Sequence, residues 1–132
     1  MTGVLDASAA VRLTLSRSQV PELHELCNGL DVMLAPELFV AEVTNTLWKY
    51  ARAREVSHSE CEQALKKALE MADVIVRMES MAQEVLAMAM RMGHSAYDMY
   101  YCLLAIRSGA ILLTTDEKLR TAARRLGIKT AI

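Results

Sequence analysis

Short apolar runs alternate along this chain with longer stretches of helical period, and that alternation is the signature of parallel strands joined by crossover helices. Five runs read as strands: Gly3 to Leu5, Val32 to Ala35, Val74 to Val76, Ala110 to Leu113 and Ile128 to Ala131. Helical patterns between them cover Ala7 to Leu15, Pro21 to Asn28, Glu37 to Arg54, Ser59 to Met71, Ser80 to Met92, Ser95 to Ser108 and Glu117 to Leu126. The fold class is therefore α/β, a three-layer α/β/α sandwich around a five-stranded parallel sheet. A length of 132 residues with 53% hydrophobic content supplies one core, so a single domain over residues 1–132 is expected.

Local chemistry sets several boundaries. Pro36 removes an N–H and presets φ, so a helix can start directly after it, with Glu37 at its positive end. Ser57 and Ser59 are both placed to cap the next helix. Gly29, Gly93, Gly109 and Gly127 each follow a helical run, as left-handed terminating residues do. With the glycines used in this way, no Gly-rich loop remains to cradle a nucleotide.

Fifteen Lys and Arg against sixteen Asp and Glu give a net charge of −1, which excludes nucleic-acid binding by bulk positive charge and leaves only a local patch. Cys27, Cys61 and Cys102 are odd in number and widely spaced, so neither a disulfide framework nor a thiolate zinc site is readable. A reducing cytoplasm fits best. No apolar run approaches the roughly 20 residues that cross a bilayer, so no membrane partner is expected.

Ligands of open parallel sheets bind beyond the carboxyl ends of the strands, where strand order reverses. Asp6 lies just past the first strand and Asp116 just past the fourth. Either one alone reads equally as a helix N-cap. Glu42 and Asp98 sit inside helical patterns, and Asp98 is the only charge between Ser95 and Ile106. It is either a first-turn acid held by free N–H groups and the helix dipole, or a metal ligand or catalytic base. Four acids converging into one socket would repel one another unless a divalent cation neutralised them, and carboxylates suit Mg²⁺ or Mn²⁺. His24, His58 and His94 are too scattered for zinc and read as surface or helix-end residues.

The socket also selects a topology. In strand order 2-1-3-4-5, Asp6 and Asp116 would lie two strands apart, about 9 to 10 Å, too far to share an ion. In order 3-2-1-4-5 the first and fourth strands are neighbours and both aspartates border the crevice, so that order is expected. Two other acidic-pocket classes fail on residues. A receiver domain needs its Asp after the third strand, where Arg77 stands, and a haloacid-dehalogenase phosphatase needs Asp-x-Asp where Asp6-Ala7-Ser8 stands.

Taken in order, these pieces resemble the PIN-domain ribonucleases, most closely the small VapC-type toxins of type II toxin–antitoxin pairs. Val4-Leu5-Asp6-Ala7-Ser8 is similar to the family's opening strand and first acid, and Glu42-Val43-Thr44-Asn45-Thr46-Leu47 to its E-x-x-N-x-L helix. Ser95-Ala96-Tyr97-Asp98 with Tyr101 resembles the third-acid helix, and Thr114-Thr115-Asp116-Glu117-Lys118-Leu119 the T-x-D-x-x-L motif. The resemblance implies a Mg²⁺- or Mn²⁺-dependent endoribonuclease leaving a 5′-phosphate and a 3′-hydroxyl. In it Asp6, Asp98 and Asp116 hold an ion, Glu42 completes the site through water, and Ser8, Asn45 and Thr114 support it. It also implies an RNA substrate, a cognate antitoxin and a homodimer. A PIN-like RNA-binding or protein-docking module with weak or absent nuclease activity is the alternative.

RNA needs cations near the acids. Lys118, Arg120, Arg124, Arg125 and Lys129 follow Asp116, and Lys49, Arg52 and Arg54 end the helix carrying Glu42. Each reads either as a phosphate contact or as a solvated residue complementing a helix end. With one Trp and one Phe, a broad stacking platform is improbable, and Tyr97, Tyr100 or Tyr101 is the candidate for a single stack. The nine methionines read as core filler or as an adaptable docking surface.

Overall fold

The first strand has a neighbour on each side. In the computed structural model, β1 (Thr2–Leu5) pairs in parallel with β2 (Val32–Pro36) and with β4 (Ile111–Leu113); β3 (Val74–Val76) and β5 (Thr130–Ala131) form the edges. The order is β3-β2-β1-β4-β5, as the acids at the ends of the first and fourth strands required. The structure describes residues 1–15 and 21–131, the side chain of Leu23 excepted.

Side chains alternate across the pleat and divide the core in two. Leu5, Met33, Ala35 and Leu113 face one layer, built with α1 (Ala7–Thr14), α3 (Leu38–Arg52) and α4 (His58–Met71), with Leu26 and Cys27 of α2 (Pro21–Asn28) packed beside them. Val4 and Leu112 face the other layer, built with α5 (Ala82–Met92), α6 (Ala96–Ser108) and α7 (Glu117–Arg125). This is the three-layer α/β/α arrangement. Met33, Met81, Met88 and Met99 are buried in these cores, whereas Met90 is exposed.

Most boundaries follow their local chemistry. The Ser57 hydroxyl caps α4, accepting from Glu60 N–H at 3.1 Å, while Ser59 lies within the first turn and caps nothing. Gly93 and Gly109 take left-handed φ values of 60° and 59° and close α5 and α6. Gly29 does not adopt that conformation; its N–H ends α2 on the carbonyls of Glu25 and Leu26, which any residue can do. The left-handed turn after α3 falls instead on Arg54, at φ 59°. The pattern expected from Ser80 is split, with a 3₁₀ turn at Glu79–Met81 preceding α5. Among the described residues no helix is long and apolar enough to cross a membrane.

Candidate active site

The pairing of β1 with β4 brings together segments more than 100 residues apart at the carboxyl edge of the sheet. Asp6 N–H donates to the Leu113 carbonyl at 3.1 Å, so the residues after both strands meet. Asp6 is the N-cap of α1, its Oδ1 accepting from Ala9 N–H at 2.9 Å. The Thr114 hydroxyl donates to Asp6 Oδ2 at 2.6 Å, and the Ser8 hydroxyl lies 2.8 and 3.0 Å from the two carboxylate oxygens. Ser8 and Thr114 also tie down the opposite loop: Thr115 N–H donates to Ser8 Oγ at 3.1 Å and Asp116 N–H to Thr114 Oγ1 at 3.0 Å. Asp116 then caps α7 through Lys118 and Leu119 N–H. For both aspartates the capping role is thus present, and it sets them side by side.

The other two acids each meet a partner for which the sequence suggested a different role. Tyr101, fully buried on α6, donates its hydroxyl to Glu42 Oε1 at 2.6 Å across 59 residues of sequence. His94 Nε2 lies 2.8 Å from Asp98 Oδ2, both side chains about one-fifth exposed. Tyr101 is therefore no stacking residue, and His94, a helix-end histidine as expected, is turned inward to an acid rather than to solvent. Its i, i+4 spacing to Asp98 was the available signal, masked by a helix start between them.

Burial and mutual repulsion shape the electrostatics. Burial pushes the Asp6 carboxyl up to about 6, against the hydrogen bonds from Thr114, Ala9 and Ser8, and the Asp116 charge adds to the rise. Glu42 is also raised, chiefly by burial, with Asp98 and Asp116 repelling its charge and the Tyr101 hydrogen bond opposing. The Tyr101 phenol is held far above its usual range, by burial first and then by Glu42 and Asp6. Asp116 thus repels both Asp6 and Glu42, and Asp98 repels Glu42, which links the four acids in a chain of repulsions. Among the described residues no Lys or Arg forms an ion pair with any of them. Nor do three His, Cys, Asp or Glu side chains stand close enough together there to hold an ion as oriented. The repulsion is tempered without an ion by hydroxyls, by N–H groups and by the positive starts of α1, α6 and α7.

The remaining candidates are dispersed. Asn45 is exposed on α3, one turn from Glu42. Lys118 is exposed in the first turn of α7, near Asp116. Arg120 is folded back rather than free: it donates to the Thr114 carbonyl at 3.1 Å and pairs with Glu117 at 2.9 Å. Arg124 and Arg125 end α7, about 12 Å along its axis from Asp116. Lys49 and Arg52 lie about 10 and 15 Å along α3 from Glu42, and the Arg52 guanidinium covers the Trp48 ring at 5.3 Å.

A family profile described as PIN domain matches residues 3–125, from the first strand through α7. The chain belongs to the PIN domain family. This PIN domain is 29% identical over 119 residues to Ribonuclease VapC3 of Pyrobaculum aerophilum, covering 88% of this chain and 90% of that protein. It is 35% identical over 82 residues to Exonuclease VapC9 of the same organism, covering 62% of this chain and 60% of the relative. Its fold matches the crystal structure of PAE2754 from Pyrobaculum aerophilum with a TM-score of 0.77 and 26% identity, over 98% of this chain and 83% of the other. FitAcB from Neisseria gonorrhoeae matches the fold alone, with a TM-score of 0.64 at 16% identity, over 98% and 96% of the chains.

Proposed function

We propose that this PIN domain is a Mg²⁺- or Mn²⁺-dependent endoribonuclease and the toxin of a VapBC-type pair, with a cognate antitoxin as partner and a homodimer as its working form. The observation that supports the nuclease reading is that Asp6 and Asp116 follow the paired strands β1 and β4 and are joined through Ser8 and Thr114, with Asp116 repelling both Asp6 and Glu42 and Asp98 repelling Glu42. Among the described residues these acids offer only oxygen donors and none pairs with Lys or Arg, which is the donor chemistry a hard dication takes. Relatives named as a ribonuclease and an exonuclease support nucleic acid as the substrate.

Asp6, Asp98 and Asp116 are the residues that would hold the ion, and Glu42 would support it through water. A bound dication supplies a water of lowered pKa and offsets charge on the departing oxygen. The chain's own residues prepare that step. Ser8, Thr114 and Ala9 N–H hold Asp6 in one orientation. Tyr101 fixes Glu42 by donating its hydroxyl to the carboxylate, and the phenol is held protonated for that role. Lys118 offers an exposed cation to a phosphate beside the acids.

One observation favours the alternative, a PIN-like module that binds RNA or protein with little nuclease activity: each acid already has a protein partner. An RNA digest with and without EDTA separates the two. Linear end-labelled and circular RNA are compared, and the cut ends mapped. EDTA-sensitive cleavage of the circle, lost in Asp6→Asn and Asp98→Asn, supports the proposal. Cleavage of linear RNA alone makes the enzyme an exonuclease, and no metal-dependent cleavage leaves the binding module.

A further inference from the structure

Asp98 occupies the third position of α6, where an acid after a Ser N-cap ordinarily turns back to the helix's own free N–H groups. It does not do so here. The Ser95 hydroxyl accepts from Tyr97 N–H, and the Asp98 carboxylate turns to the His94 ring at 2.8 Å. His94 is held for this role by the backbone: Gly93, left-handed at φ 60°, ends α5, and His94 N–H donates to the Ala89 carbonyl at 3.2 Å. Among the described residues Asp98 Oδ1 has no hydrogen-bond partner, so one oxygen is fixed and the other is free.

We propose that His94 is a positioning residue that orients Asp98 for divalent-cation binding. The inference rests on the metal-dependent reading above. A carboxylate beside Nε2 places the proton on that nitrogen, so the ring donates to Oδ2 and Oδ1 is left as the ligand oxygen. The pair is shielded enough that its hydrogen bond is not lost to water, and neither side chain takes another partner among the described residues. Partners of ligating groups typically contribute about 10- to 100-fold in metal affinity.

The test is a Mn²⁺ titration of the metal-free full chain, followed by the EPR signal of the free ion, for wild type, His94→Leu and His94→Gln. Leu fills the space without a donor; Gln restores an N–H. The expected result is a Kd for Mn²⁺ raised about 10-fold or more in His94→Leu and recovered most of the way in His94→Gln. Equal Kd values for wild type and His94→Leu overturn the proposal, as does tighter binding in His94→Leu, which would mean that the ring holds Asp98 away. A weakened His94→Gln overturns it too, by pointing to packing instead of the donor. A wild-type protein that binds no Mn²⁺ overturns the metal-dependent reading itself.

Discussion

Asp6 carries an electrostatic cost that the fold tolerates. Its carboxyl lies near 6 in the folded protein against an ordinary 3.8, so the folded state holds the proton more tightly than the unfolded chain does. Ionised Asp6 therefore subtracts stability, in full above pH 6, and the deficit fades as pH falls towards 3.8. The shift corresponds to about 3 kcal/mol. In metal-free protein, Asp6→Asn is expected to raise Tm by roughly 5 to 10 °C at pH 7.5, the relieved charge being partly offset by the acceptor oxygen lost to the Thr114 and Ser8 hydroxyls, and by less at pH 5, measured by calorimetry. A variant that melts below wild type at both pH values contradicts this account. Tyr101→Phe has the opposite sign: removing the donor to half-buried Glu42 is expected to cost about 1–2 kcal/mol at pH 7 in urea unfolding, and less where Glu42 is protonated. The acids themselves were legible in the sequence because an Asp directly after an apolar run, or alone in a core-like helix, is conspicuous. Their partners were not. Tyr101 reads as ordinary core, and only the fold brings it to Glu42 from 59 residues away.

At the scale of elements, what a helix does with distance decides which cations matter. The basic residues after Asp116 look like one block in sequence, but α7 carries Arg124 and Arg125 to its far end while Arg120 turns back to brace the Thr114 carbonyl. Arg120→Ala is expected to lower Tm by several degrees, whereas Arg124→Ala and Arg125→Ala stay within about 0.5 kcal/mol of wild type. Equal effects at the three positions would contradict the bracing role. The strands have a tighter constraint. A Cβ on Gly3 of β1 would come within 2.5 Å of Leu30 Cδ1 and 2.8 Å of Leu113 Cδ1. Gly3→Ala is therefore expected to cost about 1–3 kcal/mol in thermal unfolding, because Leu113 is fully buried and must shift. Strand order was readable because two aspartates needed adjacent strands. Ser57 and Gly93 were readable because capping is local chemistry. The left-handed Arg54 was not, since nothing local favours that conformation in an arginine.

For the whole molecule, a net charge of −1 and an acidic edge with Lys118 as its nearby exposed cation predict weak electrostatic capture of RNA. A log–log plot of RNA affinity against salt is expected to have a slope of only about −1 to −2, consistent with two or three phosphate contacts. A slope beyond about −4 would show that the distant basic residues also reach the strand. On the proposed metal-dependent reading, Mn²⁺ at 100 times its Kd is expected to add about 2.7 kcal/mol to unfolding, seen as a higher Tm that EDTA reverses.

The hydrogen bond from Thr114 to Asp6 spans 108 positions of the chain. During synthesis the first strand must wait, without its β4 neighbour, until Ile111 to Leu113 have emerged. A ribosome-bound fragment ending before Ile111 lacks half of what holds Asp6 and all of Asp116. Cutting power, on the proposed reading, is thus a property only of a finished molecule, and a translating cell is shielded from its own half-made product by topology alone.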